Sequence, residues 1–150
     1  MHVTAKADYA VRAIVEIATN PDGPTKAEQI ADAQDIPLGF LRGILTDLRR
    51  TGLIASQRSS SGGFRLARPA ESITIAEVIR SVEGPLAQVR GLRPNELEYV
   101  GSAAPLQHVW IALRANLRAV LEATTIADVA NGSLPKVVTK LAADPKSWDT

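Results

Sequence analysis

Apolar residues recur at spacings of three and four over residues 5–19, where Tyr9, Ala10, Ala13, Ile14, Ile17 and Ala18 form one stripe. That period predicts an amphipathic helix. The run Asn20-Pro21-Asp22-Gly23-Pro24 stops it, because two prolines and a glycine cannot continue a helical ladder. Thr25-Lys26-Ala27-Glu28 then has the spacing of a capping box, with Thr25 as cap and Glu28 reaching back to its amide. This predicts a second helix to about Gln34 that buries Ile30. Asp35-Ile36 makes the turn, and Pro37 suits the first turn of a third helix. Leu41, Ile44, Leu45 and Leu48 give that helix a narrow apolar face, with Arg42, Thr46, Arg49 and Arg50 off it. Gly52 is placed to end it.

The period then shortens. Residues 53–57 and 64–67 read as two strands of a hairpin joined by the polar loop Arg58-Ser59-Ser60-Ser61-Gly62-Gly63. Thr74-Ile75-Ala76-Glu77 is another capping box and opens a helix that Gly84-Pro85 closes. Residues 86–104 have no period and read as a linker or sensor loop. A long helix is expected over 105–123, where Leu106, Trp110, Leu113, Leu117 and Val120 make a short heptad seam, with Leu121 beside it. Thr125 caps a short helix ended by Asn131-Gly132, and the remainder reads as a helix plus a loose tail. The expected fold is mainly α with a small β-hairpin wing. Residues 1–84 form a winged helix-turn-helix, 85–104 the linker or sensor loop, and 105–150 the dimerisation helix and C-terminal tail.

Charge gives this layout a purpose. Residues 36–70 hold six arginines (Arg42, Arg49, Arg50, Arg58, Arg65, Arg68) against one acid, Asp47. The segment carries +5 in a chain whose net charge is +1, so the rest sums to −4. Such asymmetry is the footprint of a polyanion-binding face. In a winged helix-turn-helix the third helix meets base edges in the major groove. The candidate DNA-contacting residues are therefore Pro37, Leu38, Gly39, Arg42, Thr46 and Arg49 there, with Thr25 in front. On the wing they are Arg58, Ser59, Ser60, Ser61, Gly62, Gly63 and Arg65. Arg58 is suited to a narrow minor groove. The two glycines let backbone approach phosphate without a Cβ clash.

Other chemistries find little support. There is no cysteine, which removes disulfides, thiolate metal sites and cysteine nucleophiles. His2 and His108 are too few for the usual acid–base constellations, and no phosphate-binding glycine loop or paired-histidine metal motif occurs. Glu96 and Glu98 read as a solvated acidic loop. No secretory signal and no run of about 18 apolar residues is visible, so a cytoplasmic location without membrane contact is expected. No enzyme activity and no cofactor are expected.

The segments Ile36-Pro37-Leu38-Gly39-Phe40-Leu41, Leu48-Arg49-Arg50-Thr51-Gly52-Leu53-Ile54 and Gly62-Gly63-Phe64-Arg65-Leu66-Ala67 resemble the IscR/NsrR/CymR family of bacterial transcription regulators. Asp8-Tyr9-Ala10, Ile73-Thr74-Ile75-Ala76-Glu77 and Thr124-Thr125-Ile126-Ala127-Asp128 extend the resemblance over roughly residues 1–130. It implies a homodimeric repressor or activator on a pseudo-palindromic operator, with the long helix crossing between subunits. By the same resemblance Pro37, Gly39 and Arg42 face bases and Arg58 reaches the minor groove. Many members hold an iron–sulfur cluster through three cysteines before the long helix. Here Ala104 stands at the last cysteine position and Gln107 at that of a histidine ligand, with His108 next to it. The expectation is a repressor of duplex DNA without a cluster, signalled by a small-molecule effector, by a partner protein, or by nothing. The alternative is a helix-turn-helix interaction module whose basic face binds an acidic protein.

Overall fold

A computed structural model describes residues 2–58 and 60–149. Its elements in order are α1 (Ala5–Ala18), α2 (Ala27–Gln34), α3 (Leu38–Arg50), β1 (Ile54–Gln57), β2 (Gly63–Leu66), α4 (Ile75–Glu83), α5 (Leu106–Leu121), α6 (Ile126–Asn131) and α7 (Lys136–Ala143). Short 3₁₀ turns lie at Ala70–Ser72, Pro94–Glu96, Gly101–Ala103 and Pro145–Ser147.

The central strut is α1. Thr4 caps it by accepting the Ala7 N–H at 3.0 Å. One face buries Ala7, Ala10, Ala13, Ile14 and Ile17, and the small alanines let α2, α3, α4 and α6 all pack against it. The core joins Ile14 and Ile17 to Ile30, Leu41, Ile44, Leu45, Leu48, Ile54, Ile73 and Ile126. Burying such aliphatic side chains contributes about 1.5–3 kcal/mol each.

Two predicted starts move. Thr25 does not cap α2. Its backbone pairs with Phe64 instead, donating to its carbonyl at 2.9 Å and accepting its N–H at 2.8 Å. The cap passes to Lys26, whose N–H is accepted by the Gln29 side chain at 2.9 Å, and Glu28 is released to another partner. Pro37 lies just before α3, not in its first turn; its backbone is extended (ψ 121°) and its carbonyl accepts the Leu41 N–H at 2.9 Å. Between the helices Asp35 takes a left-handed conformation (φ 50°), and Ile36 is buried behind it.

The wing is an antiparallel pair in the register Ile54↔Leu66, Ala55↔Arg65, Ser56↔Phe64 and Gln57↔Gly63. At its foot Thr74 and Glu77 cap α4 reciprocally, as the sequence predicts.

The segment after α4 is irregular but held. Leu86 and Leu97 are buried, and Gln107 on α5 donates to the Leu97 carbonyl at 2.6 Å. Trp110 Nε1 donates to the Tyr99 hydroxyl at 2.9 Å. Beyond α5 the chain returns to the N-terminal core. Ile126 is fully buried there, its N–H donates to the Ile73 carbonyl at 2.9 Å, and the Ile75 N–H donates to the Thr124 carbonyl at 2.9 Å. Residues 124–131 thus complete the body built by 1–84. The tail after α7 is tied back by Trp148 Nε1 on the Ala142 carbonyl at 2.9 Å.

Candidate nucleic-acid interface

Helix α3 buries Leu41, Ile44, Leu45 and Leu48. At 100° per residue, the side opposite that face carries Gly39, Gly43, Thr46 and Arg50. Gly39 and Gly43 are exposed, and a Cβ at either would meet nothing within 4 Å. Each glycine inside a helix costs about 0.5–1 kcal/mol relative to alanine. No packing requirement among the described residues explains that cost. Toward α2 and the wing lie Arg42 and Arg49; toward α1 lie Phe40 and Asp47.

A groove of about 740 Å³ separates α3 from the wing. Lys26, Glu28, Arg42, Thr46, Ser60, Gly62, Gly63 and Phe64 line it. The fold thus brings together five of the predicted site residues: Arg42, Thr46, Ser60, Gly62 and Gly63. Lys26 and Phe64 were missed by the sequence reading. Phe64 alternates with Arg65 along β2, which was its local signal; Lys26 had none, because its place follows from the Thr25–Phe64 bridge.

The remaining predicted residues lie elsewhere. Thr25 is buried beneath the groove. Pro37 and Gly39 are exposed at the start of α3, where Leu38 is half-buried. Arg58 and Ser61 are exposed at the wing tip, and Ser59 lies outside the described residues. Arg65 sits on the opposite face of the hairpin. Its Nε donates to Gln57 at 2.9 Å, and with Arg68 it lines a separate cavity of about 600 Å³ against α1 and α6.

The arginines divide by partner. Arg42 pairs with Glu28 at 3.1 Å, both well exposed. Asp47 receives Arg50 at 3.1 Å on one oxygen and Lys6 at 3.0 Å on the other. The Asp47 carboxylate is half-buried, whereas the exposed Arg42–Glu28 pair is of a kind that contributes about 0–1 kcal/mol. Arg68 is structural: it donates to the Glu77 carboxylate at 2.9 Å and to the Ser72 carbonyl at 2.9 Å. Burial pulls the Glu77 carboxyl upward, but the Thr74 amide and Arg68 outweigh it and hold it below its ordinary value. Among the described residues Arg49 and Arg58 have no ion-pair partner.

A family profile for Rrf2, described as an iron-dependent transcriptional regulator, matches residues 3–132. The chain belongs to the Rrf2 family. It is 48% identical to the HTH-type transcriptional regulator Rv1287 of Mycobacterium tuberculosis, over all of this chain and 94% of that one. It is 30% identical to the HTH-type transcriptional regulator CymR of Bacillus subtilis, over 87% of this chain and 91% of the relative. The solved structure of CymR, the global cysteine regulator of B. subtilis, superposes with a TM-score of 0.74 at 28% identity, covering 87% and 97% of the two chains. T. potens IscR gives 0.73 at 28% identity, covering 89% and 88%. Like these Rrf2 proteins, the chain is a winged-helix, DNA-binding transcription regulator. No helix among the described residues is long and apolar enough to cross a membrane.

The Rrf2 description points to iron, and the donor set of this chain does not fit a sulfur-ligated centre. It has no cysteine, and among the described residues no three His, Asp or Glu side chains converge. Gln107, at the position the resemblance gives to a histidine ligand, uses its amide nitrogen on the Leu97 carbonyl at 2.6 Å and the Asn95 carbonyl at 3.4 Å. His108 is exposed. Hydrogen bonds from α5 hold the loop.

Proposed function

We propose that this Rrf2 protein is a homodimeric repressor that binds a pseudo-palindromic operator and works without an iron–sulfur cluster. Helix α3 enters the major groove on its Gly39–Gly43–Thr46 side, with Arg42 at base edges or phosphate, Arg49 on phosphate and Arg58 in the adjoining minor groove. The observation that carries the reading is the groove framed by Arg42 and Thr46 on one wall and by Ser60, Gly62 and Gly63 on the other. It is supported by two glycines on the outer side of α3 that no internal contact explains. Close approach of a helix to base pairs rewards a missing side chain.

The dimer is supported by α5, a helix of 16 residues none of which is buried in the single chain. Leu106, Trp110, Leu113, Leu117, Val120 and Leu121 are half-buried, while Val109 (55%) and Ile111 (39%) remain exposed. A twofold dimer of this kind reads two half-sites, commonly about 34 Å or one turn of DNA apart. The cluster-free reading rests on the missing cysteines and on the Gln107 bonds.

The test is a duplex recovered by random-library selection with the purified protein, then titrated by fluorescence anisotropy against salt. The reading expects two half-sites about one turn apart. Log affinity should fall with log salt at about −0.9 per neutralised phosphate. A monomer indifferent to every duplex at low ionic strength would refute it.

A further inference from the structure

One cavity of this molecule takes no part in the DNA-facing groove and has an unusual lining. A pocket of about 260 Å³ between the 3₁₀ turn Pro94–Glu96 and α5 is walled by Arg93, Arg114 and Arg118, with Asn95 beside them and Ile111 across. Among the described residues no acidic side chain lines it. Arg114 and Arg118 stand one helical turn apart on α5, and the packed loop brings Arg93 to them. Among the described residues, Arg93 and Arg114 form no ion pair. The Nε–H of Arg114 is shielded from solvent and has no hydrogen-bond partner among the described residues. Arg93 and Arg114 thus bring uncompensated positive charge to one small pocket beside the Glu122-paired Arg118, and a shielded donor without an acceptor is unfavourable. Both faults are relieved by the same kind of occupant, an anion with several oxygen acceptors.

We infer that this pocket binds a small multivalent oxyanion, a polycarboxylate or a phosphate, and that the anion competes with Glu122 for Arg118. Arg118 donates to Glu122 at 2.9 Å, and the same carboxylate oxygen receives Arg80 of α4 at 2.5 Å. Arg118 therefore belongs both to the pocket and to the bridge that ties α5 to α4 of the winged-helix body. An anion that draws Arg118 inward takes one of two cations from Glu122. As the signal of a transcription regulator this site rests on the DNA-binding reading above; as an anion site it does not.

The test uses the full-length protein without DNA. Isothermal titration with citrate and with inorganic phosphate, in a buffer free of other multivalent anions, distinguishes the two ligand chemistries. One of them is expected to bind once per chain at millimolar or lower concentration. Arg93→Ala, an exposed substitution, and Arg114→Gln should each weaken it about tenfold, the loss of one charge-assisted contact, with circular dichroism unchanged. Glu122→Gln should strengthen it severalfold by removing the competitor for Arg118. No binding of either anion overturns the proposal. So does binding that the Arg93 and Arg114 variants leave unchanged, which would mark an adventitious ion only, or an unchanged affinity in Glu122→Gln. Dissociation of the dimer in Arg114→Gln without anion binding in the parent would assign the arginines to the partner subunit instead, and also overturns it. Anisotropy of the selected duplex with and without the anion completes the set. Anion binding without duplex binding refutes the operator reading and leaves this site standing; duplex binding without anion binding does the reverse.

Discussion

Gly63 lies so close to Thr25 that a Cβ built on it would stand 2.5 Å from the Thr25 carbonyl oxygen and 2.9 Å from the Lys26 nitrogen. The first residue of β2 is thereby pressed onto the segment that opens α2, and the Thr25–Phe64 bridge fixes the wing relative to the helix pair. The approach that glycine permits here is to the protein's own backbone. Gly63→Ala is therefore expected to destabilise the fold by about 1–3 kcal/mol, the usual range for overpacking against fixed atoms. Urea unfolding would measure it. Because the wing must shift, duplex affinity should fall as well, even under conditions where the variant is fully folded.

Sequence pattern reached the elements whose causes are local. The apolar face of α3 follows from Leu41, Ile44, Leu45 and Leu48, and the Thr74–Glu77 box needs only residues three apart. The Thr25–Glu28 box has the same spacing and failed, because Phe64 competes for the Thr25 backbone from far along the chain. No local rule anticipates that bridge. Leu97 illustrates the same limit: it is buried inside a segment with no period, held by Gln107 from the next helix. The candidate site was legible as a set of cations on a helix and a hairpin. Its division was not. Arg68 is taken by Glu77 and Arg65 turned to the far face of the hairpin, which pairing and register decide.

Gly39 gives a contrast of sign. Alanine there meets open space, so Gly39→Ala should stabilise the free protein by about 0.5–1 kcal/mol through better helix propensity. If α3 approaches base pairs on this side, the added methyl should at the same time lower operator affinity. A more stable protein with weaker binding, measured by thermal unfolding and anisotropy together, is the expected pair of results. Unchanged affinity would remove Gly39 from the interface.

Arg58 and Arg65 separate the two faces of the wing. Arg58 is exposed at the tip and, among the described residues, has no ion-pair partner, while Arg65 is held by Gln57 beside a cavity away from α3. Arg58→Ala is expected to weaken duplex binding and to reduce the salt slope by about one if it meets phosphate. Arg65→Ala should change the slope by much less. Salt titrations of both variants on one duplex decide it, and equal effects would place the DNA on both faces of the hairpin.

The donor set makes a statement about iron that needs no DNA. With no cysteine, and with the Gln107 amide engaged by the Leu97 and Asn95 carbonyls, protein purified without oxygen should be colourless and free of stoichiometric iron. Elemental analysis and a visible spectrum check this. A cluster absorbance at one per chain would overturn the cluster-free reading while leaving the winged helix untouched.

Glu122 supplies the pH dependence. Hydrogen bonds from Arg118 and then Arg80 lower its carboxyl from the ordinary 4.5 to about 2. A carboxyl depressed by folding stabilises the native state above its unfolded value, and that contribution is lost as pH falls through the folded one. The bridge between α4 and α5 is therefore intact at neutral pH and should fail between about pH 4.5 and pH 2. Glu122→Gln removes the titrating group but keeps an acceptor for one arginine. It should be less stable than the parent at pH 7, and its stability should fall less steeply than the parent's across that acid window. Denaturant unfolding at a series of pH values reads both. Parallel curves for the two proteins would show that the contact seen between Arg80, Arg118 and Glu122 carries no weight in solution.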